Sequence, residues 1–217
     1  MAKAPRARDV EILPLGLKGL LAVPDGACGI VVFAHGSGSS RLSPRNTRVA
    51  RAFNEAGLAT LLFDLLLSSE ADDRRKVFDI PLLAGRLEHA LDWLEEETTA
   101  AGLSVGLFGA STGAAAALTA AGRRPQRISA VVSRGGRPDL AADALADVLA
   151  PTLLIVGEYD TVVIELNRRA MSQLTCPARL EIVPGATHLF EEPGTLDRVV
   201  SLATAWFTQH LQESLGQ

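Results

Sequence analysis

The stretch Val105–Ala115, VGLFGASTGAA, decides how this chain reads. An apolar, strand-like run meets Gly109-Ala110-Ser111-Thr112-Gly113, and an alanine-rich segment follows. A serine between two glycines at such a junction has two explanations. Small residues let a helix lie close against a sheet. Alternatively, a sharp strand-to-helix turn lifts the serine hydroxyl clear of the sheet, near the positive end of the next helix, where it can act as a nucleophile. The rest of the chain has to choose between packing and chemistry.

Working outward, the same pattern of short apolar runs recurs. Gly29–Ala34, Leu58–Phe63, Leu103–Phe108, Ile128–Ser133 and Thr152–Val156 are nearly continuous in apolar residues, as suits strands buried on both faces. Ala178–Val183 alternates more and suits a strand nearer an edge, and Val10–Leu15 with Leu17–Val23 reads as a hairpin-like start around Gly16. Helical periodicity fills the gaps, over Pro44–Ala56, Ile80–Leu94, Ser111–Ala121, Asp139–Leu149, Val162–Leu174 and Thr195–Leu211. Strand and helix in alternation predict an α/β fold: a doubly wound, mostly parallel sheet with helices on both faces. Leu66–Lys76 (LLSSEADDRRK) reads as a polar, mobile loop.

Length and composition narrow the function. At 217 residues the chain is expected to be a single domain over residues 1–217. A net charge of -4 and the lack of a long basic run argue against nucleic acid or an anionic membrane surface. The apolar runs are strand-sized, too short to span a bilayer. Cys28 and Cys176 lie far apart without a metal-binding spacing and read as two thiols in a reducing, cytoplasmic setting. No metal or cofactor is expected.

A serine hydroxyl needs a base, usually histidine. His89 and His210 fall in helices and read as surface residues, and His35 ends a strand next to Gly36, where it could shape a loop. His188 lies in PGATHLFEEPG, a loop after the last strand, which can reach over the carboxyl edge of the sheet where reactive groups gather. The imidazole needs a carboxylate to fix its tautomer. Asp160, just beyond the strand Thr152–Val156, is the preferred partner, and Glu158 is its rival. The order Ser111, Asp160, His188 is that of a nucleophile on a strand–helix elbow followed by acid and base. Oxyanion donors are then expected from the backbone N–H of Thr112 and, in the HGSGSSR loop, from that of Ser37, with Gly36 bending the chain toward the site.

Taken together, FAHGSGSS (Phe33–Ser40), GLFGASTGAA (Gly106–Ala115), LLIVGEYD (Leu153–Asp160) and PGATHLF (Pro184–Phe190) resemble the α/β-hydrolase superfamily, and within it the small dienelactone-hydrolase-like proteins. The resemblance implies a Ser111–His188–Asp160 triad and an oxyanion hole at Ser37 and Thr112. It departs from dienelactone hydrolases proper in having serine where their nucleophile is usually cysteine, which favours general ester chemistry. The chain is also similar to hydrolase-like domains found fused to phosphoribosyltransferase domains in some bacteria.

Between Ser133 and Pro151 there is room for one helix only, so no cap domain is expected and the site should be open, suited to small or moderately sized soluble esters. In SRGGRPD, Arg134 and Arg137 flank two glycines at the edge that carries Ser111. They read either as a clamp on an anionic substrate group or as solvated, salt-bridged arginines. Arg41 and Arg45 are similar, and Asp64 is a candidate partner or loop tether. The expected activity is that of a serine hydrolase cleaving carboxylic esters. A thioesterase, acyltransferase or amidase would use the same triad, and the alternative of another class is a non-catalytic ligand- or partner-binding domain.

Overall fold

Six neighbouring strands run parallel, because the apolar runs that form them are each followed by a helix that carries the chain back. The computed structural model describes residues 5–213. In chain order the elements are β1 (Arg8–Ile12), β2 (Leu17–Ala22), β3 (Ile30–Ala34), α1 (Pro44–Glu55), β4 (Ala59–Phe63), α2 (Arg74–Val77), α3 (Ile80–Glu96), β5 (Val105–Ala110), α4 (Thr112–Arg123), β6 (Ile128–Arg134), a 3₁₀ segment (Pro138–Asp147), β7 (Thr152–Gly157), α5 (Thr161–Met171), β8 (Ala178–Val183) and α6 (Thr195–Glu213). The sheet order is β1-β2-β4-β3-β5-β6-β7-β8. Among the described strands β2 alone opposes the common direction, pairing antiparallel with β1 and with β4. β8 lies at the edge, as its alternating pattern predicts.

The order turns at β3 and β5, the central pair, with Ala34 opposite Gly109. Both strands therefore deliver their following loops to the middle of the carboxyl edge, where sheets of this kind bind ligands. One face of the sheet packs on α3, α4 and the 3₁₀ segment, the other on α1 and α6. Phe33, Phe53, Phe108 and Phe207 form an interlocked aromatic cluster on the second face, with ring centroids 5.0–5.9 Å apart. Such offset and edge contacts add to the burial of apolar area. α4 is buried from Thr112 to Ala121, which explains its alanines: it lies among the sheet, α3 and the 3₁₀ segment and has no solvent face.

Three expectations change. The strand expected at Leu103–Phe108 runs instead from Val105 to Ala110, so no loop separates it from Ser111. The expected helix at Asp139–Leu149 is a 3₁₀ segment broken at Ala142, where φ is 20°. It lies so close to α4 that a Cβ on Gly122 would come 2.6 Å from the Ala144 carbonyl oxygen, and the tighter 3₁₀ turns keep the chain on that surface. The expected mobile loop at Leu66–Lys76 is braced. Glu70 accepts hydrogen bonds from Leu67 N–H (3.0 Å), Lys76 (2.9 Å) and Arg86 (3.1 Å), and α2 starts on an Asp73 cap. The Lys76 hydrogen bond is the chief reason the Glu70 carboxyl is held below its usual pKa. Cys28 and Cys176 are free thiols. Among the described residues no helix is long and apolar enough to cross a membrane.

Candidate active site

The junction between β5 and α4 is made by Ser111 alone. Its backbone sits at φ 51° and ψ -121°, a region that residues with a Cβ rarely occupy. Three hydrogen bonds hold it there: Ser111 N–H donates to the Arg134 carbonyl (3.2 Å), and the Ser111 carbonyl accepts from Ala114 N–H and Arg137 N–H (both 3.1 Å). The flanking glycines serve close approach. A Cβ on Gly109 would overlap Ala114, and one on Gly113 would overlap the carbonyl oxygen of Ala34. Packing and chemistry therefore divide the motif: the glycines bring α4 against the sheet, and the serine takes the strained turn.

His188 is held over this edge by its neighbours in the loop after β8. Phe190 is only 2% exposed and plugs into the aromatic face, with φ at 54°. Thr187 gives its N–H (3.1 Å) and hydroxyl (2.6 Å) to Glu192, and Tyr159 N–H donates to the Ala186 carbonyl (3.0 Å). The imidazole Nδ1 lies 2.6 Å from Asp160 Oδ2. A carboxylate can only accept, so Nδ1 carries the hydrogen and Nε2 is left as the basic nitrogen. Asp160 occupies the N-cap of α5 yet makes no side-chain cap bond, so its carboxylate is given up to the histidine. Glu158, the rival, accepts Gly185 N–H at 2.7 Å and anchors the turn after β8.

Gly135 connects the two halves. A Cβ there would lie 3.6 Å from His188 Cε1, and the preceding residue supplies the carbonyl that holds Ser111 N–H. Among the described residues no hydrogen bond joins the Ser111 hydroxyl to the ring.

On the other flank, a cavity of about 320 Å³ is lined by His35–Ser40, Asp64–Leu66, Thr112 and the braced loop. Gly36 faces the nucleophile, and a Cβ there would come 3.0 Å from Ser111 Cβ. Ser37 N–H donates to Thr112 Oγ1 at 3.0 Å, so the expected second oxyanion donor is engaged by the residue that follows the nucleophile. His35 bridges the loop: Nδ1 donates to the Gly36 carbonyl (3.0 Å) and Nε2 accepts Leu65 N–H (3.1 Å). Burial is the main cause of its lowered pKa, against the pull of that carbonyl and of Asp64. Asp64 accepts Arg41 N–H (2.7 Å) and pairs with the Arg41 guanidinium.

The arginines divide. Arg137 puts Nε and Nη2 on Asp139, both at 2.8 Å, so its fork is occupied by a neighbouring carboxylate. Arg45 pairs with Glu191 (2.8 Å). Arg134 is only 8% exposed, and among the described residues no carboxylate pairs with it; its Nη1 is buried without a hydrogen-bond partner. The Thr112 hydroxyl and the Phe190 anchor are the features that sequence reasoning missed. Only the Ser-Thr pairing in the motif signalled the first, and nothing local signalled the second.

A sequence model of the dienelactone hydrolase family matches residues 17–210, most of the chain. A dienelactone hydrolase from Anabaena variabilis is 53% identical, with a TM-score of 0.91 over 96% of this chain and 100% of that one. Est1E from Butyrivibrio proteoclasticus shares the fold at 16% identity, with a TM-score of 0.78 over 94% and 98% of the two chains. Two Mycobacterium tuberculosis proteins, provisionally named phosphoribosyl transferases, are 56% identical over 97% of this chain. The chain spans about half the length of these curated relatives, 48%. The extent of these matches, on a sheet that carries its serine elbow at the central strand, places the chain in the dienelactone hydrolase family.

Proposed function

We propose that this hydrolase is a serine enzyme that cleaves carboxylic esters of small or moderately sized substrates. The observation that carries the reading is the 2.6 Å Nδ1–carboxylate bond, which leaves Nε2 of His188 as the basic nitrogen for the serine at the strained elbow. His188 Nε2 takes the proton as Ser111 Oγ attacks the ester carbonyl. The imidazolium formed is stabilised by Asp160, and then protonates the departing alkoxide. Water, deprotonated by the same nitrogen, attacks the acyl-enzyme; its collapse frees the acid and returns the proton to Ser111.

The contact between Ser111 and His188 closes when substrate binds, since catalytic hydrogen bonds are often long before the complex forms. Thr112 N–H, at the first turn of α4, faces the developing oxyanion. The Thr112 hydroxyl, which accepts from Ser37 N–H, ties the β3 loop to the nucleophile turn and keeps this side of the site in place.

The test is direct. A fluorophosphonate probe should label Ser111, and turnover of p-nitrophenyl acetate should disappear in Ser111→Ala. Retained turnover or labelling in that variant would defeat the assignment.

A further inference from the structure

The cavity of about 320 Å³ reaches the elbow through Gly36 and Thr112, and His188 is not among its lining residues. That asymmetry bears on which half of an ester it can hold. His188 Nε2 has to protonate the departing alkoxide, so the alcohol half leaves on the histidine flank. The other substituent of the carbonyl carbon, the acyl half, then points to the opposite flank, where the cavity lies. Its volume is at the small end for ligand pockets, which run from about 300 to 1,000 Å³, so it suits a short acyl group.

The lining gives the chemistry of that group. Five hydroxyls face the cavity, from Ser37, Ser39, Ser40, Ser68 and Thr112. The Thr112 and Ser40 oxygens already accept backbone N–H groups, from Ser37 (3.0 Å) and Leu42 (3.2 Å), which leaves their O–H groups to donate. Leu65 and Leu83, both buried, add apolar wall. The charge is acidic. Asp64 is matched by Arg41, but among the described residues no cation pairs with Asp72. No lysine or arginine is among the described residues that line the cavity. The basic side chains of the neighbouring loop are engaged elsewhere: Lys76 with Glu70, Arg75 with Asp73, and Arg74 over the Phe78 ring. His35 supplies no countercharge either, since burial favours its neutral ring. A carboxylate entering here would give up water and meet Asp72 without a partner, which is costly.

We propose that this cavity is the acyl subsite, and that it selects short, uncharged acyl groups bearing a hydroxyl and rejects acyl groups bearing a carboxylate. The proposal deepens the hydrolase reading and rests on it. The hydroxyl of such a group exchanges hydrogen bonds with the serine and threonine hydroxyls, and its carbon chain lies against the two leucines.

The experiment compares kcat/KM for ethyl butyrate, ethyl 3-hydroxybutyrate and monoethyl succinate, which share the leaving ethanol and differ in the acyl group. The hydroxylated ester should exceed ethyl butyrate by about fivefold, the worth of one hydrogen bond. Monoethyl succinate should fall about tenfold or more below ethyl butyrate, and Asp72→Asn should recover severalfold of that loss. Ala71→Trp, at an exposed position of the lining, fills the cavity. It should lower the ratio of ethyl butyrate to ethyl acetate about tenfold and leave the ratio of butyl acetate to ethyl acetate unchanged.

Equal rates for ethyl butyrate and its hydroxylated form, a preference for monoethyl succinate, or a succinate-to-butyrate ratio unmoved by Asp72→Asn would overturn the proposal. So would an Ala71→Trp variant that loses butyl acetate instead of ethyl butyrate, since the cavity would then hold the alcohol half. Labelling of Ser111 by fluorophosphonate without turnover of any of these esters also overturns it. If Ser111 takes no label and no ester is turned over, the hydrolase reading has failed instead. Thermal stabilisation by 3-hydroxybutyramide but not by succinate, lost in Ala71→Trp, then reads the cavity alone, and its absence overturns the selectivity.

Discussion

Replacing Ser111 by glycine should abolish turnover and make the protein more stable. At φ 51° and ψ -121° the Cβ of Ser111 crowds its own backbone. Residues held in such regions cost of order 1–3 kcal/mol. Glycine relieves that strain but loses more chain entropy on folding, about 0.5–1 kcal/mol relative to alanine. Ser111 makes no side-chain cap bond to α4, so no hydrogen bond of that kind is forfeited. The balance is a gain of about 1 kcal/mol, which for a chain of this length is a rise in Tm of about 2–4 °C. Ser111→Ala keeps the Cβ and the strain and should melt close to the unaltered protein. The assay is thermal and urea unfolding of the three proteins side by side. A glycine variant that melts at or below the alanine variant would refute the claim that the elbow stores strain.

Asp160→Asn should lower kcat by about 10²–10⁴-fold, because an amide can donate to Nδ1 and favour the wrong tautomer; Glu158→Gln, which keeps an acceptor for Gly185 N–H, should change kcat little, and steady-state kinetics of the pair separates the two carboxylates. Thr112→Val removes the acceptor of Ser37 N–H, a hydrogen bond worth about 1 kcal/mol; kcat should fall severalfold, with Thr112→Ser restoring most of it. The pKa of His35 is lowered by burial from the ordinary value of 6.5. Below that pH the unfolded chain binds a proton that the folded ring refuses, so stability falls as pH drops from about 6.5 toward the folded pKa, with a slope of at most ~1.4 kcal/mol per pH unit. Urea midpoints between pH 7.5 and 5.5 should show a steeper loss in the unaltered protein than in His35→Gln; equal slopes would remove His35 as the cause.

Most of the fold was legible because its signals are local. Runs such as Ile30–Ala34 and Leu153–Val156 are apolar at every position, which only a strand covered on both faces requires. The 3₁₀ segment was not legible: its composition favours a helix, and what tightens its turns is the nearness of α4, a contact made across the fold. The braced Leu66–Lys76 loop has the same character. Its acidic and basic residues look solvated until Arg86, from the middle of α3, is placed against Glu70.

The sequence by itself determined the architecture and the position of the elbow, since hydrophobic period and glycine spacing act through neighbours along the chain. Tertiary structure alone decided the partners. Asp160 and Glu158 are two residues apart and chemically alike, and only the path of the loop after β8 gives one to His188 and the other to a backbone N–H. Likewise Arg137 finds Asp139 two positions on, while the Arg134 guanidinium lies over the Phe108 ring, where among the described residues no carboxylate pairs with it. Apart from the local Arg137–Asp139 pair, these outcomes rest on distances of a few ångströms between residues far apart in the chain, and spacing along a sequence does not encode them.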